Sequence, residues 1–61
     1  MVDMSSLIAT LRRFGLSGPA YEVLGPAAAS AEGPQMRVRV IETGEEFDYA
    51  LRDILTDPLA D

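Results

Sequence analysis

With 61 residues the chain has room for one hydrophobic core and no second one, so residues 1–61 are expected to form a single small domain. It contains no cysteine and no histidine, which removes disulfides and the usual zinc ligands as staples and leaves self-association as the remaining one. Ten acidic residues against five arginines and no lysine give a net charge of −5, a field that on average repels phosphate backbones and anionic lipid surfaces.

The start, Met1-Val2-Asp3-Met4, lacks the basic residue and long apolar stretch of a secretory signal. No apolar run approaches the roughly 20 residues that cross a bilayer, so the cytoplasm is the expected location and no membrane is expected as a partner. Residues 5–14 fit two patterns. Leu7, Ile8, Leu11 and Phe14 lie on one helix face, whereas Ile8, Thr10, Arg12 and Phe14 lie on one strand edge. A helix would take Ser5 or Ser6 as its cap and stop at Gly15. Gly15-Leu16-Ser17-Gly18-Pro19, however, reads as a short hairpin loop leading into a strand, Ala20-Tyr21-Glu22-Val23-Leu24. The strand reading is preferred. It makes the fold mainly β: a small antiparallel sheet of about four strands, from two consecutive hairpins curled into an SH3-like small barrel, with a short C-terminal helix. The alternative is α+β, with an N-terminal helix laid on a three-stranded sheet.

Residues 25–35 follow, where Gly25-Pro26 and Gly33-Pro34 bracket alanines, a serine and a glutamate with nothing large to bury. A surface loop is expected there. Met36 to Tyr49 then carries the strongest pattern, two alternating arms with Thr43-Gly44 between them. A turn centred on that pair sets Val40 beside Phe47, Val38 beside Tyr49 and Met36 beside Leu51 on one face, with Arg39 beside Asp48 and Ile41 beside Glu46 on the other. A shift by one residue would set Val40 against Asp48 and break the apolar face. Each matched pair contributes roughly 0.2 to 1 kcal/mol, so the apolar pairs outweigh Glu42 meeting Glu45 at the solvated tip. The expected core is Val38, Val40, Phe47, Tyr49 and Leu51. Beyond Tyr49 the period becomes helical, with Leu51, Ile54 and Leu55 on one side, so a helix of about two turns should run to Thr56 with Asp48 as a candidate N-cap. Pro58 stops it, and Leu59-Ala60-Asp61 are expected to fray.

Arg12-Arg13-Phe14-Gly15, Gly18-Pro19 with Tyr21-Glu22-Val23-Leu24, Glu42-Thr43-Gly44-Glu45-Glu46 with Asp48-Tyr49, and Ile54-Leu55 before Asp57-Pro58 occur here in that order. In this the chain resembles a group of short proteobacterial proteins known only as a domain of unknown function, over residues 7–24 and 36–58. That group tends to carry glycine and proline where this chain has Ala9 and Ala50, and the glycine also favours a strand in the first segment. The resemblance implies no activity, cofactor or catalytic residue.

Catalytic chemistry finds little footing. A serine nucleophile needs a base, commonly histidine, and the chain has no histidine, cysteine or lysine, so Ser5, Ser6, Ser17 and Ser30 read as caps and turn residues. Glu42, Glu45, Glu46 and Asp48 cluster at a hairpin tip, which is convex and solvated rather than a pocket that tunes a carboxylate. The same cluster lacks the ligand spacing of a calcium loop. Gly15-Leu16-Ser17-Gly18 lacks the lysine of a phosphate loop. The chain is therefore expected not to be an enzyme, with no catalytic, metal or cofactor-binding residues, no cofactor and no small-molecule substrate.

What remains is surface. Arg12, Arg13, Phe14, Arg37, Arg39 and Ile41 form the candidate partner surface, with Arg39 expected to pair with Asp48 and Arg12 or Arg13 with Glu22. A short helix cannot cover both faces of a sheet, and Ile41 faces outward in the expected register. The expected function is a non-catalytic protein-binding or regulatory module whose partner is another protein, including itself as a homodimer. The alternative is a nucleic-acid-linked regulator, a small repressor or antitoxin-like partner, in which the arginines join Phe14 or Tyr21 on a small-barrel surface.

Overall fold

Strand alternation organises the chain from Leu11 onward. In a computed structural model that describes residues 4–60, and the side chains of residues 6–60, a short 3-10 helix at Met4–Leu7 is followed by β1 (Leu11–Arg13), β2 (Ala20–Ser30), β3 (Gly33–Val40), β4 (Glu46–Ala50) and α1 (Leu51–Thr56). The expectations placed on Met1 to Asp3, on the Ser5 side chain and on Asp61 lie outside the described residues. The four strands form one antiparallel sheet in the order β1-β2-β3-β4, curled into a half-barrel, so the mainly β reading holds and the N-terminal helix alternative does not. Among the described residues no helix is long and apolar enough to cross a membrane.

One face of the sheet is the core. Tyr21 and Val23 on β2 and Met36, Val38 and Val40 on β3 are buried, and Leu7 and Ile54 close over them from the 3-10 helix and α1. Phe14, Phe47, Tyr49 and Leu51 pack against this cluster, partly buried. The five expected core residues are therefore all in the core or against it, and Tyr21, which sequence reading also offered to a nucleic-acid surface, is fully buried instead. Each fully buried side chain of this size contributes roughly 1.5 to 3 kcal/mol.

The β3–β4 register differs from expectation by two residues. Val38 lies opposite Phe47, Met36 opposite Tyr49, Arg37 opposite Asp48 and Arg39 opposite Glu46. A slip of two preserves every inward and outward assignment, so face matching alone does not decide it. Turn length does. The connection spans residues 41–45, closed by the Val40 N–H on the Glu45 carbonyl at 2.8 Å and the Gly44 N–H on the Val40 carbonyl at 2.7 Å. Gly44 takes a φ of +77°, which a longer hairpin turn asks of a residue without Cβ.

Residues 25–35 are the second correction. Instead of a loop they are the far half of the β2–β3 hairpin, which turns at Ala31-Glu32 with Gly33 at a φ of +117°. Proline is tolerated on open strand edges, and both prolines meet that condition: β1 pairs with β2 only at residues 20–22, and β4 reaches β3 only from Gln35. Two smaller corrections concern the C-terminus. Asp48 is a strand residue, and Ala50 occupies the N-cap of α1 with no side-chain cap bond. Leu59 bridges Arg12, the Arg13 N–H donates to the Pro58 carbonyl at 3.0 Å and the Ala60 N–H to the Leu11 carbonyl at 2.9 Å, so Leu59 and Ala60 pair along the β1 edge rather than fray.

Candidate functional site

Two arrangements of polar side chains stand out, one on each side of the sheet. On the inner side, Arg12 lies opposite Tyr21 in the β1–β2 register and therefore points inward. Its Nη1 donates to the Ile54 carbonyl at 2.9 Å, which also accepts the Asp57 N–H at 3.2 Å, and to the Asp57 carbonyl at 3.0 Å, at the end of α1 where carbonyls carry partial negative charge. Arg12 Nε is buried and, among the described residues, has no partner. Asp57 completes the cluster. Its Oδ2 accepts from the Tyr21 hydroxyl at 2.7 Å and the Tyr49 hydroxyl at 3.1 Å, and its Oδ1 from the Gly15 N–H at 3.2 Å.

These contacts tie the exit of α1 to β1, β2, β4 and the turn after β1. Phe14 lies over them, stacked on Tyr21 with ring centroids 4.2 Å apart and edge-on to Tyr49 at 5.2 Å. Burial, the hydrogen bond to Asp57 and its charge push the Tyr21 phenol far above its ordinary range, and the same causes push Tyr49 up to about 12. Both phenols stay protonated at neutral pH and act as donors to the carboxylate. The chemistry of this cluster is a clasp that holds the C-terminal segment down.

The outer side carries the charges in cross-strand rows. Arg39 meets Glu22 at 2.6 Å, and Arg37 meets Asp48 at 3.1 Å and Glu46 at 3.6 Å. The expected pairing of Arg39 with Asp48 is thus replaced by Arg37 with Asp48, a consequence of the two-residue register difference. Glu22 pairs with Arg39 rather than with Arg12 or Arg13, because Arg12 is turned inward and the β1–β2 register puts Leu11 opposite Glu22. A further row runs Arg13, Ala20, Ile41, joined by the Arg13–Ala20 register pair and by the Ile41 N–H on the Ala20 carbonyl at 3.0 Å. Ile41 is 50% exposed, and Leu11, on the same face as Arg13, is 43% exposed. The six candidate partner residues therefore divide: Arg12 and Phe14 belong to the inner cluster, and Arg13, Arg37, Arg39 and Ile41 to the outer face.

A family of unknown function, DUF5397, matches residues 2–61. The chain belongs to that family. No curated protein matches it. Membership of a domain-of-unknown-function group, expected from the motif order, is thereby established, and no activity comes with it.

Within this DUF5397 chain the residue that sequence reading missed is Asp57, which entered there only through the Asp57-Pro58 pair of the motif order and was given no role. The sign that points to it is indirect. Tyr21 shares the inward alternation of Val23, and a buried phenol needs an acceptor, so a core tyrosine implies a partner brought in from elsewhere. Tyr21 and Asp57 are 36 residues apart, a separation that no local pattern reports.

Proposed function

We propose that this chain is a non-catalytic binding module that works through protein contact, regulatory in character, and that it self-associates through the outer face of its sheet. The observation that carries this reading is the outer row itself: Leu11 and Ile41 stand half-exposed around Ala20 beside a guanidinium, Arg13, that has no carboxylate partner among the described residues. An antiparallel sheet tolerates water on one face, but ordinarily with polar residues there; apolar residues grouped around a free charge mark a contact surface. The state of the inner polar groups supports a non-catalytic role, since both Asp57 oxygens are engaged by hydroxyls and an amide that hold the fold together.

Nucleic-acid binding has less support, because Arg37 and Arg39 are matched by Glu46, Asp48 and Glu22 and Arg12 faces the core. Sedimentation of the chain from micromolar to millimolar concentration tests the first reading: a reversible, concentration-dependent rise in mass is expected, and a monomer throughout would overturn it. Titration with duplex and single-stranded DNA at low salt tests the second. Salt-sensitive binding there would reverse the ranking of the two.

A further inference from the structure

We propose that the Arg13–Ala20–Ile41 row is a self-complementary docking surface for a second copy of this chain, in which Arg13 of each copy meets Glu42 of the other across a two-fold axis. This rests on the self-association reading above and says where and how it occurs.

Charge placement on the two ends of the row supports this pairing. Of the five arginines, Arg12 is held by carbonyls of the C-terminal segment, and Arg37, Arg39 and Arg52 by carboxylates. Arg13 alone, among the described residues, has no ion-pair or hydrogen-bond partner for its side chain. Glu42, which directly follows Ile41 in the turn after β3, is exposed and likewise without a cationic partner among them. Arg13 at one end of the row is thus an unmatched cation, and Glu42, next in sequence to Ile41 at the other end, is an unmatched anion, with Leu11 alongside.

Neighbouring strands are about 4.8 Å apart, so Arg13 on β1 and Ile41 at the end of β3 sit on opposite sides of β2 at equal spacing. A two-fold axis running along β2 over Ala20, between two facing sheets, carries Arg13 of one copy onto the Ile41–Glu42 end of the other and the reverse. Ala20 then faces Ala20, where a small side chain permits close approach. An isologous contact of this kind requires one patch to complement itself, and this one does in both charge and apolarity. Glu22 lies near the axis on the next row, but Arg39 already neutralises it at 2.6 Å, so the two copies bring together ion pairs and not bare carboxylates. The chain exposes 3942 Å² in all, and a standard interface takes about 800 Å² from each partner, a larger strip than one row supplies. The dimer is accordingly weak and concentration-dependent.

Charge reversal tests the pairing. Sedimentation equilibrium is run on the wild-type chain, Arg13→Glu, Glu42→Arg and the double variant Arg13→Glu with Glu42→Arg, each first shown to melt as the wild type does. Both single reversals are expected to weaken the dimer by about ten-fold or more, and the double variant to return to within about three-fold of wild type. General repulsion between acidic copies predicts otherwise: Arg13→Glu makes the chain more negative and weakens association, whereas Glu42→Arg makes it less negative and strengthens it. Should a reversal disturb folding, Arg13→Gln and Glu42→Gln replace it, each expected to weaken the dimer. A dimer indifferent to these changes, tightened by Glu42→Arg, or not rescued in the double variant overturns this surface while leaving self-association standing. A wild-type chain that remains monomeric overturns both.

Discussion

The two halves of the β2–β3 hairpin have the same backbone conformation and opposite surroundings. In the near half Tyr21 pairs with Val40 and Val23 with Val38, all buried, with β1 and β4 on the flanks. In the far half Ala27 pairs with Gln35 and Ser30 with Gly33, the register slips between them, and Ala28, Ala29 and Ser30 are exposed. Strand conformation therefore follows from closing the hairpin, while stability follows from what the side chains bury. The exposed Arg52–Glu32 pair at 3.0 Å leans the tip toward α1, but pairs of that kind contribute about 0 to 1 kcal/mol.

The sharpest way to break the contrast is at the centre of the near half. Val38→Asp places a carboxylate at a position with no exposed area, at a cost of several kcal/mol that matches or exceeds the roughly 5 kcal/mol a domain of this size holds. The variant should show no cooperative thermal transition by circular dichroism. A melt close to wild type would remove Val38 from the core.

At the clasp the effects are smaller and separable. Tyr21→Phe keeps the ring on Phe14 and loses only the hydroxyl bonded to Asp57, so a loss of about 1.5 to 3 kcal/mol is expected in urea unfolding. Tyr49→Phe should cost less, because Tyr49 is only partly buried, its bond is longer at 3.1 Å, and Tyr21 still holds the carboxylate. The phenols also fix the alkaline limit. Folding raises the Tyr49 pKa from 10.0 to about 12, so its contribution is complete below pH 10 and is lost as pH rises through about 12. Urea midpoints taken from pH 8 to 12 should hold level and then fall, and the fall should shrink in Tyr49→Phe.

Substitutions at positions of positive φ have smaller effects. Gly44→Val forces a β-branched residue into φ +77° with open space around its Cβ, so the expected loss of about 1 to 2 kcal/mol is purely conformational. Ala9→Gly runs the other way. Ala9 is the one non-glycine at positive φ among the described residues, at 71°, and glycine there should stabilise by about 0.5 to 1 kcal/mol after the added freedom of the unfolded chain is counted.

What was legible beforehand divides along the same line. Alternation from Met36 to Tyr49 placed Val38, Val40, Phe47 and Tyr49 correctly because period 2 is a local property, visible in a few residues. The register escaped because Val38 finds an aromatic ring opposite it at either setting, Phe47 or Tyr49, and only the length of the turn separates the two. The far half escaped because Pro26 and three alanines carry no strand signal; their conformation is imposed by the turn at Ala31-Glu32. On the outer face, Ile41 was recognised as outward, but its neighbours Arg13 and Ala20 come from strands one and two places away, and the clasp joins residues separated by 36 and 42 positions.

The mildest expected effect closes the contrast. Ala28→Asp is the same kind of change as Val38→Asp, a charge introduced into a strand of the same hairpin, but Ala28 is exposed on the ribbon where β2 has no outer neighbour among the described residues. Its carboxylate stays in water, so stability should change by less than about 0.5 kcal/mol. Amide exchange should separate the halves in the wild type as well, with Val23 and Val38 protected to the level of global unfolding and Ala28 and Ala29 exchanging through local opening. A large loss from Ala28→Asp would mean that the ribbon carries folding free energy of its own, and the division between pairing and burial would have to be redrawn.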